Sequence, residues 1–328
     1  MPTNAKAVLV VGGAGFIGSH MVLNLRRAGY QPVVLDNLSK GHRDAVLDAE
    51  LIVGDMADTA LLKELFARYS FAAVMHFASF IEVGESVKFP AKYYQNNVAA
   101  TVNLIETMVK SGIKHFIFSS TAAVYGEPQY KTITEAHPLA PINPYGRSKR
   151  MAEEIIRDFA VSDGLNYAIL RYFNAAGADP EGRLRERHEP ESHLIPIVLQ
   201  AAAGQRPNVT IYGDHYPTAD GTCIRDYVHV VDLCSAHLLA LNALLKGKKQ
   251  LVCNLGTGHG YSVIQVVNAA KRVTGRPIET VVGQPRPGDP AILVADASLA
   301  KQELHWLPRY PDLDPMIEHA WKAMQKPA

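Results

Sequence analysis

The sequence is poor in cysteine. Its 328 residues hold three, Cys223, Cys234 and Cys253, an odd number with no Cys-x-x-Cys pair. A disulfide framework or a zinc knuckle is therefore not expected. The thirteen histidines show neither His-x-x-x-His nor His-Glu-x-x-His spacing, and no metal is expected. An excess of one charge is also missing: the formal net charge is +1, without the basic surplus that a nucleic-acid partner requires. No apolar run reaches membrane-spanning length. The N-terminus, Met1-Pro2-Thr3-Asn4-Ala5-Lys6, passes straight into a short apolar strand, unlike a secretory signal. A cytoplasmic location with no membrane partner is expected. Repeats, low-complexity tracts and a flexible inter-domain linker are all lacking.

What is present is ordinary for a globular chain: 48% hydrophobic and 20% charged residues. The length suits a core plus one appended substrate region. Ala7-Val8-Leu9-Val10-Val11 reads as a buried strand, because its apolar run is unbroken and rich in β-branched residues. A helix over about 16–28 follows and stops at Gly29. Strands over 32–35, 51–53, 73–76, 115–118 and 167–170 then alternate with helices, the longest over about 91–110 and 145–160. Alternation of this kind implies crossover connections and a parallel sheet. The expected fold is α/β, a doubly wound parallel (Rossmann-type) sheet over residues 1–175. Beyond about 175, Gly and Pro punctuate more often, as in Gln284-Pro285-Arg286-Pro287-Gly288. Residues 176–328 are expected to form a smaller C-terminal substrate-binding region, with segments free to interleave with the first.

Gly12-Gly13-Ala14-Gly15-Phe16-Ile17-Gly18 lies between the first strand and the first helix. Gly-x-x-Gly-x-x-Gly in that context predicts a dinucleotide pyrophosphate on the helix N-terminus. Asp36 ends the second strand, 18 residues beyond Gly18, where a carboxylate accepts the adenosine ribose hydroxyls and repels a 2′-phosphate. NAD is thus favoured over NADP. Gly54-Asp55-Met56 reads equally well as a turn or as an adenine contact.

Tyr145-Gly146-Arg147-Ser148-Lys149 puts a phenol and an ammonium at i and i+4, on one helix face. A phenol titrates near ~10 when unperturbed, so it needs help to act as a base at neutral pH. A nearby ammonium and a cationic nicotinamide ring are expected to lower its pKa. A lone Tyr-x-x-x-Lys also fits a surface ion pair or a core tyrosine. Ser119-Ser120-Thr121 closes the fifth strand, where hydroxyls can meet a reacting oxygen.

The glycine pattern, the hydroxyl-bearing strand end and Tyr-x-x-x-Lys together resemble the extended short-chain dehydrogenase/reductase superfamily. Within it, several stretches look like those of UDP-glucose 4-epimerases: His76-Phe77-Ala78, Tyr93-Tyr94-Gln95-Asn96-Asn97-Val98, Val124-Tyr125-Gly126, Asn143-Pro144-Tyr145-Gly146 and Arg171-Tyr172-Phe173-Asn174. So do Tyr216-Pro217-Thr218, Asp220-Gly221-Thr222, Arg225-Asp226-Tyr227-Val228-His229 and Asn254-Leu255-Gly256-Thr257-Gly258, in the part of the chain outside the shared cofactor domain.

The resemblance implies NAD as cofactor, a UDP-sugar as substrate and a homodimer made through the long helices. Tyr145 would be the base, with Lys149 its electrostatic partner and Thr121 in the place of a serine. Gly12, Gly15, Phe16, Ile17, Gly18, Asp36, Asn37, Asp55, Met56, Phe77, Ala78, Asn96, Lys149 and Tyr172 would hold NAD. Thr121, Tyr145, Asn174, His193, Leu194, Tyr212, Arg225, Arg286, Asp289 and Leu293 would hold the substrate. In that set Arg225 and Arg286 clamp phosphates with their guanidinium forks, and Asp289 holds the uridine ribose. The implied reaction oxidises C4 of UDP-galactose or UDP-glucose, turns the 4-keto sugar and reduces it on its other face.

Three positions depart from the family pattern. His193 stands where many members have asparagine, Ile81 where some have lysine, and Leu293 at a sugar-pocket gate of variable size. Acceptance of N-acetylated sugars is left open by Leu293. Pentose and uronic-acid UDP-sugars are neighbouring readings. A 4,6-dehydratase is disfavoured, because Ala122 and Ala123 stand where that chemistry places an acid and a base. A non-catalytic NAD(H)-sensing protein on the same fold is the reading from another class.

Overall fold

The computed structural model describes residues 6–286 and 289–326; Met1–Ala5, the Pro287-Gly288 pair of the Gly/Pro-rich stretch, and the last two residues lie outside the described residues. Along the chain, β1 (Ala7–Val11), α1 (Phe16–Arg27), β2 (Gln31–Asp36), β3 (Glu50–Val53), α2 (Thr59–Arg68) and β4 (Phe71–His76) come first. Then follow α3 (Val83–Lys88), α4 (Pro90–Tyr94), α5 (Ala100–Lys110), β5 (His115–Thr121), α6 (Pro144–Ser162) and β6 (Asn166–Tyr172). The remainder comprises β7 (Asn174–Ala176), α7 (Leu194–Ala202), β8 (Val209–Tyr212), β9 (Ile224–His229), α8 (Val230–Leu245) and β10 (Gln250–Leu255). It ends with β11 (Gly260–Ser262), α9 (Val263–Thr274), β12 (Thr280–Gly283), β13 (Ile292–Leu293), α10 (Ser298–Leu304) and α11 (Leu313–Met324). Among the described residues, no helix is long and apolar enough to cross a membrane.

The chain divides into two compact units. One takes residues up to Gly126, Pro138–Arg171 and Cys234–Cys253; the other takes Glu127–His137, Tyr172–Leu233 and the chain from Asn254 onward. The segments are interleaved, and the short piece Glu127–His137 belongs to the second unit.

In the first unit, seven strands form a sheet in the order β10-β6-β5-β4-β1-β2-β3. β1 runs parallel to both its neighbours, with Val10 opposite Val34 on one side and Met75 on the other. The β2–β3 and β4–β5 pairs are parallel as well. All five residues of β1 are buried, as an apolar strand covered on both faces must be. Leu9, Leu35, Leu104, Phe116, Phe118, Ile156 and Ile169 join one apolar core. Strand order reverses between β1 and β4, and crevices form beyond the carboxyl ends of the strands at such a switch. Gly12 follows β1, and the Phe77 N–H after β4 donates to the Val11 carbonyl at 2.7 Å.

The helix expected over 91–110 runs on without interruption from Pro90 to Lys110, but it is not α-helical throughout. α4 and α5 are separated by one wide π turn, Gln95–Ala99. Within that turn Asn97 is buried and uses its side chain twice on one loop: Oδ1 accepts the Phe80 N–H and Nδ2 donates to the Phe80 carbonyl, both at 3.0 Å. π turns of this kind often sit at functional places.

In the second unit, β9 pairs antiparallel with β11 and parallel with β7 and β13. A parallel pair, β8 with β12, stands apart. Val198, Leu199, Val266, Met316 and Ile317 form its core. α9 opens on a full capping box, Ser262 with Gln265, and ends at Gly275 in the left-handed region.

Candidate active site

The first unit brings together the loop after β1, the end of β2, the ends of β4 and β5, and the first turns of α6. Gly12 has φ +80°, and a Cβ there would lie 2.5 Å from the Ala78 nitrogen. A Cβ on Gly18 would lie 2.1 Å from the Gly12 carbonyl oxygen. Side chains at either place would push the loop off the sheet. At Gly15 the nearest atom to such a Cβ is 3.5 Å away, so that side of the loop is open. α1 begins at Phe16 with no side-chain cap and no acidic residue in its first turn, which leaves its N–H groups and positive end free.

Asp36 Oδ2 accepts the Ala14 N–H at 2.9 Å, and Oδ1 accepts the Leu38 N–H at 2.8 Å. A carboxylate has about four acceptor sites, so Asp36 keeps capacity for two hydroxyls. Asn37 Nδ2 donates to Asp55 Oδ2 at 2.8 Å. Asp55 Oδ1 also accepts the Ala57 N–H at 2.8 Å, so Asp55 is a turn residue and an Asn37 partner at once. Met56 is buried beside it in the sequence. Asn96 Nδ2 donates to Asn97 Oδ1 at 2.9 Å, and Asn97 Nδ2 reaches Ser148 Oγ at 3.1 Å.

Pro144 at the first helical position and Asn143 as N-cap, whose Oδ1 accepts the Gly146 N–H at 2.8 Å, start α6 so that Tyr145 stands in its first turn. Tyr145 and Lys149 are both buried. Burial pushes the Tyr145 phenol up to about 12, against which a hydrogen bond with Thr121 works. Burial pushes the Lys149 ammonium down to about 7, with Glu153 opposing. Lys149 Nζ donates to Ser79 Oγ and to the Ser119 carbonyl, both at 2.7 Å, and stands 4.7 Å above the Phe118 ring. The expectation that Lys149 lowers the Tyr145 pKa is not met in the protein by itself: burial dominates both groups, and Thr121, not Lys149, acts on the phenol.

α6 is locked by a buried ion pair. Arg171 Nε donates to Glu153 Oε1 at 2.9 Å and Nη2 to Oε2 at 2.5 Å, while Ser120 Oγ donates to Oε1 at 2.6 Å. The sequence reading missed Ser79, Asn97, Glu153 and Arg171 as positioning residues. Glu153 had a signal, being four residues beyond Lys149 on the same helix face; Ser79 had none.

In the second unit, the expected substrate residues fall into three groups. Around β9, Arg225 Nη2 donates to Asp289 Oδ1 at 2.5 Å. Leu293 is in register with Arg225 across the β13–β9 pair, and Asn174 Nδ2 donates to the Asp226 carbonyl at 2.9 Å. The Tyr216 hydroxyl is buried there without a hydrogen-bond partner. Burial, with the Cys223 side chain beside it, raises its pKa to about 12. The missed organiser is Asp226, fully buried, whose carboxylate accepts the N–H groups of Thr257, Gly258 and Ala295 and the Thr257 hydroxyl. In the second group, Arg286 lies 4.0 Å over the Tyr212 ring, a cation–π pair. In the third, His193 caps α7 and Leu194 begins it. Burial opposes charge on the His193 imidazole, but the Glu186 and Glu191 carboxylates outweigh it and raise the pKa to about 10. Tyr172, expected at the cofactor, is the last residue of β6 and falls in the second unit.

The profile of the NAD dependent epimerase/dehydratase family matches residues 8–256. A UDP-glucose 4-epimerase of Halalkalibacterium halodurans is 51% identical over 315 residues, 96% of this chain and 94% of that relative. The crystal structure of UDP-glucose 4-epimerase from Brucella ovis in complex with NAD is 49% identical, with a TM-score of 0.95 over 97% of this chain and 98% of that one. The enzyme from Bifidobacterium longum in complex with NAD+ and UDP is 40% identical, with a TM-score of 0.92 over 98% of this chain and 99% of that one. Agreement at this level over nearly the whole length covers both units and not the cofactor loop alone. This chain belongs to the NAD dependent epimerase/dehydratase family.

Proposed function

We propose that this chain is a UDP-glucose 4-epimerase, interconverting UDP-galactose and UDP-glucose with a bound NAD. The observation that carries the reading is the buried Tyr145 phenol, hydrogen-bonded to Thr121 and four residues from a buried Lys149, in a chain 51% identical to such an enzyme. Ala122 and Ala123, next to Thr121, cannot transfer protons, which separates this site from an eliminating one.

The residues present fit NAD. The open side of Gly15 and the uncapped start of α1 form a cradle for a pyrophosphate. Gly12, Gly15, Phe16, Ile17 and Gly18 would hold it. Asp36 and Asn37 would take the adenosine ribose, Asp55 and Met56 would flank the adenine, and Phe77, Ala78, Asn96, Lys149 and Tyr172 would hold the rest. Bound there, NAD supplies a reversible two-electron oxidation of C4 and a positive charge.

Tyr145 takes the proton of the sugar 4-hydroxyl and later returns it. Thr121 orients the phenol through their hydrogen bond. Burial keeps Tyr145 neutral at rest, since its pKa lies near 12, so the base forms only when ligands bring positive charge to it. Lys149, held by Ser79 and Ser119, orders the same pocket and excludes water from it. Arg225 and Arg286 grip the diphosphate, with Asn174, His193 and Leu194 assisting; Asp289 and Tyr212 take the uridine. Anchoring by UDP leaves the 4-keto sugar free to turn while it stays bound.

Val83, Val87 and Phe89, in or after α3, and Met151 on α6 are apolar and exposed. They support a homodimer through these helices, and sedimentation showing a monomer alone would remove that reading. No membrane or nucleic-acid partner is proposed, and the location is the cytoplasm.

The test is incubation of purified protein with UDP-galactose, first without added NAD, following UDP-glucose by chromatography. Conversion that disappears in Tyr145→Phe supports the proposal. No conversion even after NAD is supplied overturns it.

A further inference from the structure

The loop between β7 and α7 carries a cluster that the proposed reaction does not use as such. Its pattern is Glu186-x-His188-x-x-Glu191-x-His193. One ligand atom from each residue lies within 4.8 Å of all the others. We propose that these four residues bind one divalent first-row transition-metal ion, foremost Zn2+, in a structural site that ties down the loop before α7.

Three observations carry this. The first is spacing. The His188 Nδ1 atom is 3.1 Å from Glu186 Oε1 and 3.9 Å from Glu191 Oε2, and His193 Nδ1 is 2.7 Å from Glu186 Oε1 and 3.4 Å from Glu191 Oε1. Ligands about 2.0–2.1 Å from a tetrahedral zinc lie ~3.3 Å from one another. The four imidazole–carboxylate separations bracket that edge length.

The second is the state of the imidazoles. Both Nδ1 atoms are buried and have no hydrogen-bond partner. The nearest carboxylate oxygens, 2.7–3.9 Å away, belong to the two glutamates of the same cluster. Two buried imidazole nitrogens grouped within 4.8 Å of two carboxylates are an arrangement that a metal ion satisfies. The rings meet edge to face, with centroids 5.0 Å apart, so neither blocks the other.

The third is charge and support. The Glu186 and Glu191 side chains are 7% and 4% exposed. On binding a metal the imidazoles give up the protons that the two carboxylates otherwise hold on them, and one divalent cation then balances the two carboxylate charges. Glu191 Oε1 also accepts the N–H groups of Ser192 and His193, both at 2.9 Å, which fixes the carboxylate before any ion arrives. Imidazole and carboxylate together suit zinc and its first-row neighbours rather than Ca2+ or Mg2+. A metal on Nδ1 of His193 leaves the proton on Nε2, making that atom a fixed donor. The sequence spacing hid the site because none of the usual zinc patterns is present.

The test uses the full chain, stripped with a chelator, desalted and titrated with Zn2+ alone. Elemental analysis after a second desalting should find one zinc per chain. Thermal melting with excess Zn2+ should shift upward by about 5 °C relative to the chelator-treated protein. Co2+ in place of Zn2+ should give the visible bands of a four-coordinate ion. His188→Asn and Glu186→Gln should each weaken binding by about 100-fold or more and abolish the shift; if Glu186→Gln fails to fold, His188→Asn decides. Retention of less than a tenth of an ion per chain overturns the proposal and leaves a cluster of protonated-histidine ion pairs. Equal retention by wild type and His188→Asn overturns it as well, placing the zinc elsewhere, for instance on the buried cysteines.

Discussion

The two units hold their charged side chains differently. In the first, the ionic groups around the Tyr145 phenol are buried and fully committed. Arg171 and Glu153 form a forked pair with Ser120 on the same carboxylate, and Lys149 is bonded to Ser79 and Ser119. In the second, the groups proposed to grip the nucleotide are paired with one another and less completely buried: Arg225 with Asp289, and Arg286 with the Tyr212 ring. A committed pocket fixes geometry for chemistry, where small displacements are costly. A self-paired set must exchange partners when a diphosphate arrives, so it selects and releases ligand. The comparison implies that damage in the first unit appears in kcat or in folding, and damage in the second in KM.

The largest effect expected is at Tyr145. Tyr145→Phe keeps the ring and its packing and removes the proton carrier, so kcat should fall by about 10³-fold or more with the melting temperature little changed. A fall in KM affinity of the same size with kcat intact would break the division between the units.

Glu153→Gln tests commitment. It leaves the fully buried Arg171 guanidinium without its carboxylate, and breaking one side of a buried pair costs about 3–5 kcal/mol. Denaturant unfolding should show that loss. The equivalent cut in the second unit, Asp289→Asn, removes the partner of an Arg225 whose side chain is 14% exposed, beside an Asp289 at 29%, and should cost about 1–3 kcal/mol, less than the Glu153 cut.

Lys149 gives a pH test. Its folded pKa is lowered to about 7 by burial, below the unfolded value near ~10.4. Between those values the unfolded chain binds the extra proton, so stability rises with pH from about 7 and levels off near 10.4. Below 7 both states are protonated and the slope vanishes. Lys149→Met should flatten this part of the stability–pH curve relative to wild type; an unchanged slope would mean that the ammonium is not desolvated.

How much of this was legible in the sequence follows from the same contrast. The glycine loop, Asp36 and the Tyr145/Lys149 pair could be proposed from the sequence because each depends on local spacing: a strand, a turn, a helix and i to i+4. The doubly wound sheet was readable for the same reason, since alternation fixes the crossover. Ser79, Asn97 and Asp226 were not readable, because their roles arise from backbone groups distant in the chain: Asn97 reaches Phe80, and Asp226 gathers Thr257, Gly258 and Ala295. The π turn at Gln95–Ala99 was not legible because the chain stays helical through it and one extra residue in a turn leaves no mark in the sequence. The cluster at Glu186–His193 was missed because its spacing matches no regular element.

Arg225→Lys sharpens the second half of the comparison. Lysine keeps the charge but loses the fork that holds both Asp289 and the Ile224 carbonyl. KM for UDP-galactose should rise by about 10-fold, with kcat within about 2-fold of wild type.

The smallest expected effect concerns selectivity. Leu293 is in register with Arg225 on the neighbouring strand, and register partners project from the same face of a sheet. A residue beside the proposed phosphate clamp is placed to limit the bulk of the attached sugar. Pocket discrimination by apolar bulk amounts to about 10–200-fold, and removing one isobutyl group should recover the lower end of that range. Leu293→Ala should therefore raise kcat/KM for UDP-N-acetylgalactosamine relative to UDP-galactose by about 10-fold, and Leu293→Tyr should lower it. If both variants leave the ratio unchanged, bulk at this position does not set the choice of sugar, and the gate must lie on another strand or loop of the second unit.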